Sequence, residues 1–364
     1  MTGDDLSIVL SGLFGTRSEE HSWRSLFASL LGMLIFGYVG CGGSSGANPA
    51  PVARSNLTPT AALSITAFES SPVLSRGVAG AWDSFDVLNP SVIQWNGALY
   101  NYYSGYDGSV WRTGLAVSND GGLTWRKNSK PVLDLGGWDS QYIAANGSAI
   151  VFNGKVYYYY HGVDSKGLSK IGLATSTDGV TFTALPDPVL DVGASGSWDD
   201  TAVADPYVVQ FDNTLYMYFL GMNNAYKQLL GVATSTDGII WTKQPAPLLP
   251  PGDPNDFDAH GQGEPAVVYQ APLYYMLYTG RAADEVRDLG WAISKDRINW
   301  TKQSQGIVPP LLRQAWDSKV ICDPTILPTG NDDGTFYVWF GGGDKPEPAQ
   351  GLDGQIGRYT MKLN

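Results

Sequence analysis

The sequence is poor in cysteine, in clustered positive charge and in helical patterning, and each shortage excludes a class of protein. Two cysteines among 364 residues, Cys41 and Cys322, are too few for a disulfide scaffold. Only 16% of residues are charged, the formal net charge is −12, and no run of Lys and Arg offsets it. Because a net negative field repels phosphate backbones, we expect no nucleic-acid partner. After residue 60 no helical periodicity of useful length appears, which excludes a helical bundle.

Glycine and aromatic residues are abundant instead. The chain has 44 glycines, 12% aromatic residues and 43% hydrophobic residues. This composition is typical of β-sheet proteins with many turns and is ample for a packed core. Tyr and Trp also suit clefts that bind sugar rings.

The N-terminal region predicts export from a bacterial cell. Residues 25–40 are uncharged and follow two arginines, and the stretch ends in Gly40-Cys41. Its length fits a signal-peptide core better than a membrane span. We therefore predict a lipoprotein-type signal peptide at 1–41, with a plain signal peptide or short anchor as the alternative. The protein would be lipid-anchored on Cys41 at the cell envelope, its only membrane contact, or otherwise secreted or periplasmic. Residues 42–63 have the Gly/Ser/Pro composition of a flexible linker, and 64–364 form the folded domain.

One phrase, an aromatic residue followed by Asp, recurs five times in the predicted domain. The steps between successive copies are 56, 60, 59 and 59 residues. A fixed period of this length indicates a repeat architecture. The five copies are Trp82-Asp83, Trp138-Asp139, Trp198-Asp199, Phe257-Asp258 and Trp316-Asp317.

Each repeat contains four strand-like stretches joined by turn sequences. Asn96-Gly97 and Asn153-Gly154 are typical two-residue hairpin turns between the first two strands. The pattern predicts an all-β fold, a five-bladed β-propeller with four-stranded blades, and leaves a β-sandwich as the alternative. Segment 64–68 precedes the first repeat, and we predict that it completes the last blade as its outer strand and closes the ring.

Two recurring sets of aspartates are predicted to be structural. Ser/Thr-X-Asp-Gly turns resemble the Asp-boxes of sialidases and stand at 118–125, 176–182, 235–241 and, in degraded form, 294–300. Their Asp can accept hydrogen bonds from turn amides. The aspartates of the aromatic-Asp phrase also recur in every repeat, so both sets are expected to hold the blades together.

Function is expected where the repeats differ. Aligned on one another, the repeats place a ring of residues at the start of each innermost strand, near the channel mouth. Three acids in this ring suit glycosidic cleavage, although they could also bind strand-end amides or line a wet channel. The ring comprises Asn89-Pro90, Asn146-Gly147, Asp205-Pro206, Glu264-Pro265 and Asp323-Pro324.

With these acid-Pro strand openings, residues 65–364 resemble the five-bladed propeller glycosidases. These are the arabinanase and β-xylosidase family, glycoside hydrolase family 43, and the invertase and inulinase family, family 32. The resemblance implies that Glu264 is the general acid and that Asp205 tunes its pKa and orients it. Asn89 departs from the family, which places an acid there. Asp86, or less well Asp83, could replace that acid as base, as could Asp323; otherwise the protein binds glycans without cleaving them.

Further residues near the predicted channel mouth are candidates for substrate contact. We expect Asn89 and Asp323 to contact the glycan, together with His260 and Arg281. Tyr142 and Trp111 could stack on sugar rings, although ordinary packing explains them as well. We expect no cofactor and no catalytic metal, although calcium could occupy the channel, and we expect a monomer.

The sequence therefore predicts an exported glycoside hydrolase that acts on a polysaccharide or oligosaccharide. A glycan-binding lipoprotein without activity is one alternative, and a scaffold that binds protein partners is another. A glycoside phosphorylase is the last, since mannoside-phosphorylase propellers share the Asn-Pro strand opening. The sequence shows no cluster of basic residues for phosphate, and Arg281 alone is weak support.

Overall fold

The structure is a computed structural model that describes residues 61–225, 227–303 and 306–363. Apart from two short 3₁₀ turns, Pro310–Leu312 and Ala315–Asp317, all of its regular elements are β-strands. In these three ranges, no helix is long and apolar enough to cross a membrane. The predicted signal peptide and most of the predicted linker lie outside the described residues.

The described residues form twenty strands: β1 (Leu63–Phe68), followed by nineteen strands in repeated antiparallel groups. Group one contains β2 (Asp86–Trp95), β3 (Ala98–Tyr106), β4 (Trp111–Ser118) and β5 (Arg126–Lys127). Group two contains β6 (Gln141–Phe152), β7 (Lys155–Val163), β8 (Ser169–Ser176) and β9 (Thr183–Ala184). Group three contains β10 (Ala202–Phe211), β11 (Thr214–Met222), β12 (Gln228–Ser235) and β13 (Thr242–Lys243). Group four contains β14 (Gly261–Gln270), β15 (Leu273–Arg281), β16 (Arg287–Ser294) and β17 (Trp300–Lys302), and group five contains β18 (Val320–Pro328), β19 (Thr335–Gly343) and β20 (Gln355–Leu363).

The N-terminal strand belongs to the last group. β1 pairs antiparallel with β20, with Leu63 opposite Leu363 and Phe68 opposite Tyr359, so the sheet order is β18-β19-β20-β1. This is the pairing predicted for segment 64–68. The strand begins at Leu63, one residue inside the predicted linker, because Leu63 packs against the apolar cluster of groups four and five.

The first strands of successive groups lie side by side. β2 contacts β6, β6 contacts β10, β10 contacts β14, β14 contacts β18, and β18 contacts β2. The third strand of a group also meets the first strand of the next through a short parallel pairing, such as Gln228 with Gly261. The first strands therefore surround the cleft described below.

The aromatic-Asp phrase packs each group, as its even recurrence predicted. Trp82 stacks on Tyr103 with 5.7 Å between ring centroids, and Trp198 stacks in the same way on Phe219. The neighbouring Asp is buried and in three groups it pairs with a lysine on the fourth strand. These ion pairs are Asp83–Lys127, Asp199–Lys243 and Asp258–Lys302, with shortest distances of 2.6, 2.6 and 2.7 Å. The aspartates of the Asp-box turns accept turn amides, as when Asp178 Oδ1 accepts from Val180 and Thr181 at 2.8 and 2.7 Å.

Removing one of these lysines is expected to destabilise the fold. The Asp258 side chain has no exposed surface, and Lys302 Nζ lies 2.7 and 2.8 Å from its two oxygens. Since Lys302→Ala leaves a buried charge without its counter-ion, we expect a loss of about 3 kcal/mol in the free energy of unfolding. Urea denaturation measures it. Lys155→Ala, at an exposed position of β7, is the control and should cost less than about 0.5 kcal/mol. Equal losses in the two variants would contradict the structural role of the pair.

Candidate functional site

The five ring residues share one unusual backbone conformation. Each lies in the left-handed region with φ between 47° and 52°, at a point where the ladder between the first two strands shifts register. They are Asn89, Asn146, Asp205, Glu264 and Asp323. The shift turns these side chains into a common space between the first strands.

This conformation separates Glu264 from the other four. Asn and Asp are the side chains that tolerate positive φ best after glycine, so the backbone alone favours them at four ring positions. Glutamate has no such preference, so the φ of 49° at Glu264 raises the local conformational energy, which the surrounding packing must offset. Residues with a strained backbone are concentrated at functional sites. Among the ring residues, Glu264 is therefore the strongest candidate for a functional role.

The ring lies between two cavities. The larger one is a cleft that encloses about 910 Å³, part of it open to solvent, which is within the range of small-molecule sites, roughly 300–1,000 Å³. A smaller cavity lies on the other side, lined by the proline or glycine that follows each ring residue. All five ring residues line both spaces, so a ligand in the cleft would meet their side chains.

Glu264 and Asp323 form a close carboxyl pair. Their oxygens lie within 4.8 Å of one another, and the two groups share a hydrogen bond. Burial, the Glu264 charge and that hydrogen bond together raise the pKa of Asp323 well above its usual range. Asp323 Oδ2 also accepts the backbone N–H of Asn89 at 3.2 Å. Glu264 Oε2, in contrast, is buried and has no hydrogen-bond partner in the described ranges.

Asp205 stands on the other side of Glu264. Burial and the Glu264 charge raise the pKa of Asp205 to about 8, although the Asn146 amide and the Arg287 charge oppose the shift. Asn146 Nδ2 donates to Asp205 Oδ1 at 3.2 Å. Asp205 is therefore mostly protonated at neutral pH and can donate a proton.

Two arginines of group four line the same cleft. Arg281, a predicted contact residue, ends β15 and pairs with Glu285 at 2.7 Å. Arg287, which was not predicted, opens β16 and is buried. The internal alignment contained its signal, because the first residue of β4, β8 and β12 also lines the cleft and only group four has a charged residue there. Folding thus brings two positively charged side chains, Arg281 and Arg287, to the same cleft, although they do not form a cluster in the sequence.

Segment 344–354, which we call the strap, joins β19 to β20 and crosses to three other groups. Arg287 Nη2 donates to the carbonyls of Glu347 and Pro348, both at 2.9 Å. The Tyr142 hydroxyl donates to Gln350 Oε1. Several strap residues line the cleft, so the strap forms part of its wall: Pro348, Ala349 and Leu352.

The strap explains the position of Asp86, for which a role as base was predicted. Its two oxygens accept the backbone N–H groups of Gly354 and Gly351 at 2.7 and 2.6 Å. Burial is the largest cause that raises the pKa of Asp86. Asp86 does not line the cleft and both of its oxygens accept amides of the strap, so the structure lends no support to the role as base, which stays a prediction.

The predicted aromatic residues do line the cleft. Trp111 stacks on Tyr106 at 4.8 Å, and its Nε1 donates to the Tyr142 hydroxyl at 3.2 Å. Tyr142 adopts a φ of 61°. The Tyr142 hydroxyl is hydrogen-bonded to both Trp111 and Gln350, so Tyr142 connects the strap to the aromatic residues of the cleft.

One histidine was predicted to contact substrate, but a different one lines the cleft. His260, predicted as a contact, does not line the cleft; its side chain is 47% exposed, and Nδ1 lies 3.3 Å from Glu285 Oε1. His161, which was not among the predicted contacts, is buried and lines the cleft. Of the predicted contacts, the structure brings five into the cleft and leaves His260 at its edge: Asn89, Asp323, Arg281, Tyr142 and Trp111.

The carboxyl pair does not fit the calcium ion that seemed possible in the channel. Glu264, Asp323 and the Cys322 thiol are the one group in the described ranges whose atoms lie close enough to hold a metal. Calcium takes six to eight oxygen ligands, whereas this group offers two carboxyls and a sulfur. Burial also raises the pKa of the Cys322 thiol well above its usual range.

Comparison with known proteins points to glycan-active enzymes. A family model described as β-1,4-mannooligosaccharide phosphorylase, of glycoside hydrolase family 130, matches residues 137–229. An uncharacterized protein of Mycobacterium tuberculosis (strain CDC 1551 / Oshkosh) is 27% identical over 198 residues, 50% of this chain and 62% of the relative. A 1,2-β-oligomannan phosphorylase of Thermoanaerobacter sp. (strain X514) is 26% identical over 205 residues, 53% and 63% of the two chains. The chain therefore spans less than two thirds of these curated relatives.

Solved structures of similar fold include both hydrolases and phosphorylases. A β-1,2-mannobiose phosphorylase from Listeria innocua in complex with β-1,2-mannobiose superposes with a TM-score of 0.63 at 12% identity, covering 82% of this chain and 96% of that one. A thermostable family-43 glycoside hydrolase gives 0.60 at 18% identity, with 80% and 90% covered. At these identities the likeness is one of fold. The chain has the all-β, propeller-like fold that family-43-type glycosidases and family-130 phosphorylases share, as its acid-Pro strand openings implied.

Proposed function

We propose that the protein is a glycan-active enzyme that breaks a glycosidic bond in a mannoside-type oligosaccharide. The observation that carries the proposal is the convergence of three carboxyl groups and two arginines on one cleft: Asp205, Glu264, Asp323, Arg281 and Arg287. Carboxyls with different proton affinities supply acid and base, and arginines hold anions. The names of the matched family and relatives support the mannoside as substrate class.

We infer that the strand groups are the five blades of a closed β-propeller. The pairing of β1 with β20 gives the last group its fourth strand, and the contact of β18 with β2 supports closure. The ring residues would then surround the central axis at one height, and the cleft would be the channel mouth.

The proton affinities favour Asp205 as the acid, which reverses the roles that the resemblance implied. Asp205 holds a proton at neutral pH because burial and the Glu264 charge raise its pKa to about 8. It would give that proton to the leaving oxygen as the glycosidic C–O bond breaks. Glu264 keeps one buried oxygen without a partner, which suits it to accept a proton or bind a substrate hydroxyl.

Phosphorolysis is the first candidate reaction. Arg281 and Arg287 line the cleft and could hold inorganic phosphate, whose oxygen would attack the anomeric carbon. The bond to the leaving sugar breaks, Asp205 protonates that sugar, and the products are a glycosyl 1-phosphate and a shortened glycan. This reaction needs no separate protein base, so Asn89 in place of an acid is no obstacle.

Hydrolysis is the second candidate, and Glu264 favours it. Its free oxygen Oε2 could take the proton of an attacking water, which phosphorolysis does not require. Export of the protein, with a lipid anchor on Cys41, remains part of our proposal and bears on the choice. A charged glycosyl phosphate made outside the membrane would not cross it unaided, so an exported enzyme is better suited to hydrolysis. Neither reaction requires a cofactor.

Product analysis distinguishes these candidates. Purified protein is incubated with β-1,2- and β-1,4-mannooligosaccharides, with and without inorganic phosphate, and the products are identified by mass spectrometry. A sugar phosphate formed only with phosphate indicates phosphorolysis, whereas free mannose formed in both conditions indicates hydrolysis. In the first case Arg287→Gln should raise the KM for phosphate at least tenfold. Binding of the glycans without any product would overturn the enzymatic proposal in favour of a glycan-binding protein.

A further inference from the structure

His161 is a buried polar residue of the cleft wall whose side chain has no hydrogen bond to the described residues. It lies near the end of β7, is 4% exposed, and lines the cleft. Neither ring nitrogen has a hydrogen-bond partner in the described ranges. Its register partners on β6 and β8 are Ala145 and Ile171, which offer no polar side chain. A buried imidazole with two unmet nitrogens costs free energy unless a ligand or water binds it.

In two of the other four groups the residue at this position binds the backbone of the next ring residue, whereas in groups three and five it is Leu220 and Gly341. In group one the equivalent residue is Ser104, whose Oγ accepts the backbone N–H of the ring residue Asn146 at 2.8 Å. In group four it is Thr279, whose Oγ1 accepts the N–H of the ring residue Asp323 at 3.0 Å. Group two has His161 at this place, and no such bond to the next ring residue, Asp205, is formed. His161 makes no bond of the kind that Ser104 and Thr279 make, so its imidazole remains available for a ligand.

The state of this histidine fits an uncharged ligand. Burial lowers the pKa of His161 to about 4, so the ring is neutral under ordinary conditions and presents one N–H donor and one lone-pair acceptor. A neutral ring gives little attraction to phosphate, which the arginines are better placed to hold. A sugar hydroxyl, which both donates and accepts, complements it.

We propose that His161 is a specificity-determining residue that binds a hydroxyl group of the glycan in the cleft. The inference rests on the proposed glycan substrate but not on the choice between phosphorolysis and hydrolysis. Because a buried hydrogen-bonding group strongly disfavours a ligand that lacks its partner, His161 would reject sugars without that hydroxyl.

A double-mutant cycle between the protein and the sugar tests the proposal. Glycan binding is measured by calorimetry, and kcat and KM by product formation, for the wild type, His161→Phe and His161→Gln. We expect His161→Phe to weaken binding about 10- to 100-fold with little change in kcat, and His161→Gln, which keeps a donor and an acceptor, to retain most of the affinity. The sugar that lacks the hydroxyl bound by His161 should bind the wild type as weakly as the complete sugar binds His161→Phe. The His161→Phe variant should bind the deoxy sugar and the complete sugar with equal affinity.

Nuclear magnetic resonance gives a second readout that needs no catalysis. The chain has three histidines, so the ¹⁵N imidazole signals of His161 can be assigned from their loss in His161→Gln. They should shift when mannooligosaccharide is added, and the thermal midpoint of each variant shows that it is folded. Wild-type affinity in His161→Phe, or unchanged signals while the enzyme cleaves glycan, would overturn this inference and leave the proposed function intact. Shifted signals without cleavage would overturn the enzyme and leave His161 as a glycan contact.

Discussion

Glu264→Gln is expected to lower the rate of glycoside cleavage by at least about 10³-fold while glycan binding stays within a few-fold of wild type. Glu264 lies within hydrogen-bonding reach of Asp323, and its charge raises the proton affinity of both Asp205 and Asp323. The glutamine amide keeps the shape of the Glu264 side chain but removes its negative charge. Asp205, the proposed proton donor, then loses the neighbouring charge that keeps it protonated. Single-turnover rates and calorimetric binding separate the two effects.

Two further variants sharpen this test. Glu69→Gln, just after β1 and outside the cleft, is the control and should retain full activity. Glu264→Asp keeps the charge, shortens the side chain by one methylene and suits the left-handed backbone better, so it should unfold at a slightly higher temperature and still lose most activity. Full activity in Glu264→Gln would remove the carboxyl cluster from the mechanism.

Asp205→Asn is expected to abolish cleavage and yet stabilise the protein above pH 8. Because the pKa of Asp205 is about 8 in the folded protein and about 3.9 in an unfolded chain, the folded state binds the extra proton between these values. The stability that this proton supplies is complete below pH 4 and is lost as the pH rises through 8. Asparagine needs no proton and fits the backbone, as Asn89 and Asn146 show at equivalent positions.

Thermal and urea unfolding at several pH values measure this effect. Between pH 5 and 9 the variant should lose less stability than the wild type, by a difference on the order of 3 kcal/mol. Asp187→Asn changes an exposed aspartate that also precedes a proline and is the matched control, for which we expect the wild-type pH dependence. Parallel curves for the wild type and Asp205→Asn would show that Asp205 is ionised in the folded protein, and the proton donor would have to be another group.

Features that recur in every repeat were predictable from the sequence. The recurring aromatic-Asp phrase predicted the strand groups. The aromatic ring must be buried against the strands that follow it, so the spacing between the phrase and those strands is the same in each group. The ring was predictable for the same reason, and Asn89, Asp205, Glu264 and Asp323 do line one cleft.

The contributions of loops and of single side chains were not predictable. Asp86 was predicted as a possible base because nothing in the sequence reveals the position of segment 344–354. That segment folds back over group one, and its amides bind both carboxylate oxygens of Asp86. Arg287 was missed although it is the one charged residue among the third-strand starts that line the cleft, and its position beside Arg281 follows from strand pairing rather than from sequence proximity. His260 was predicted as a contact and His161 was not, because nothing in the sequence shows that residues near the strand ends form the cleft wall.

The shared left-handed backbone of the ring has a consequence for how this protein can change. Asparagine and aspartate fit that conformation equally well, so exchanging one for the other alters the charge at the centre of the molecule without disturbing the strands around it. A single base change in a codon converts Asn89 into aspartate. The ring is thus a set of positions at which the charge lining the cleft can be changed by exchanging Asn and Asp while the fold remains as it is.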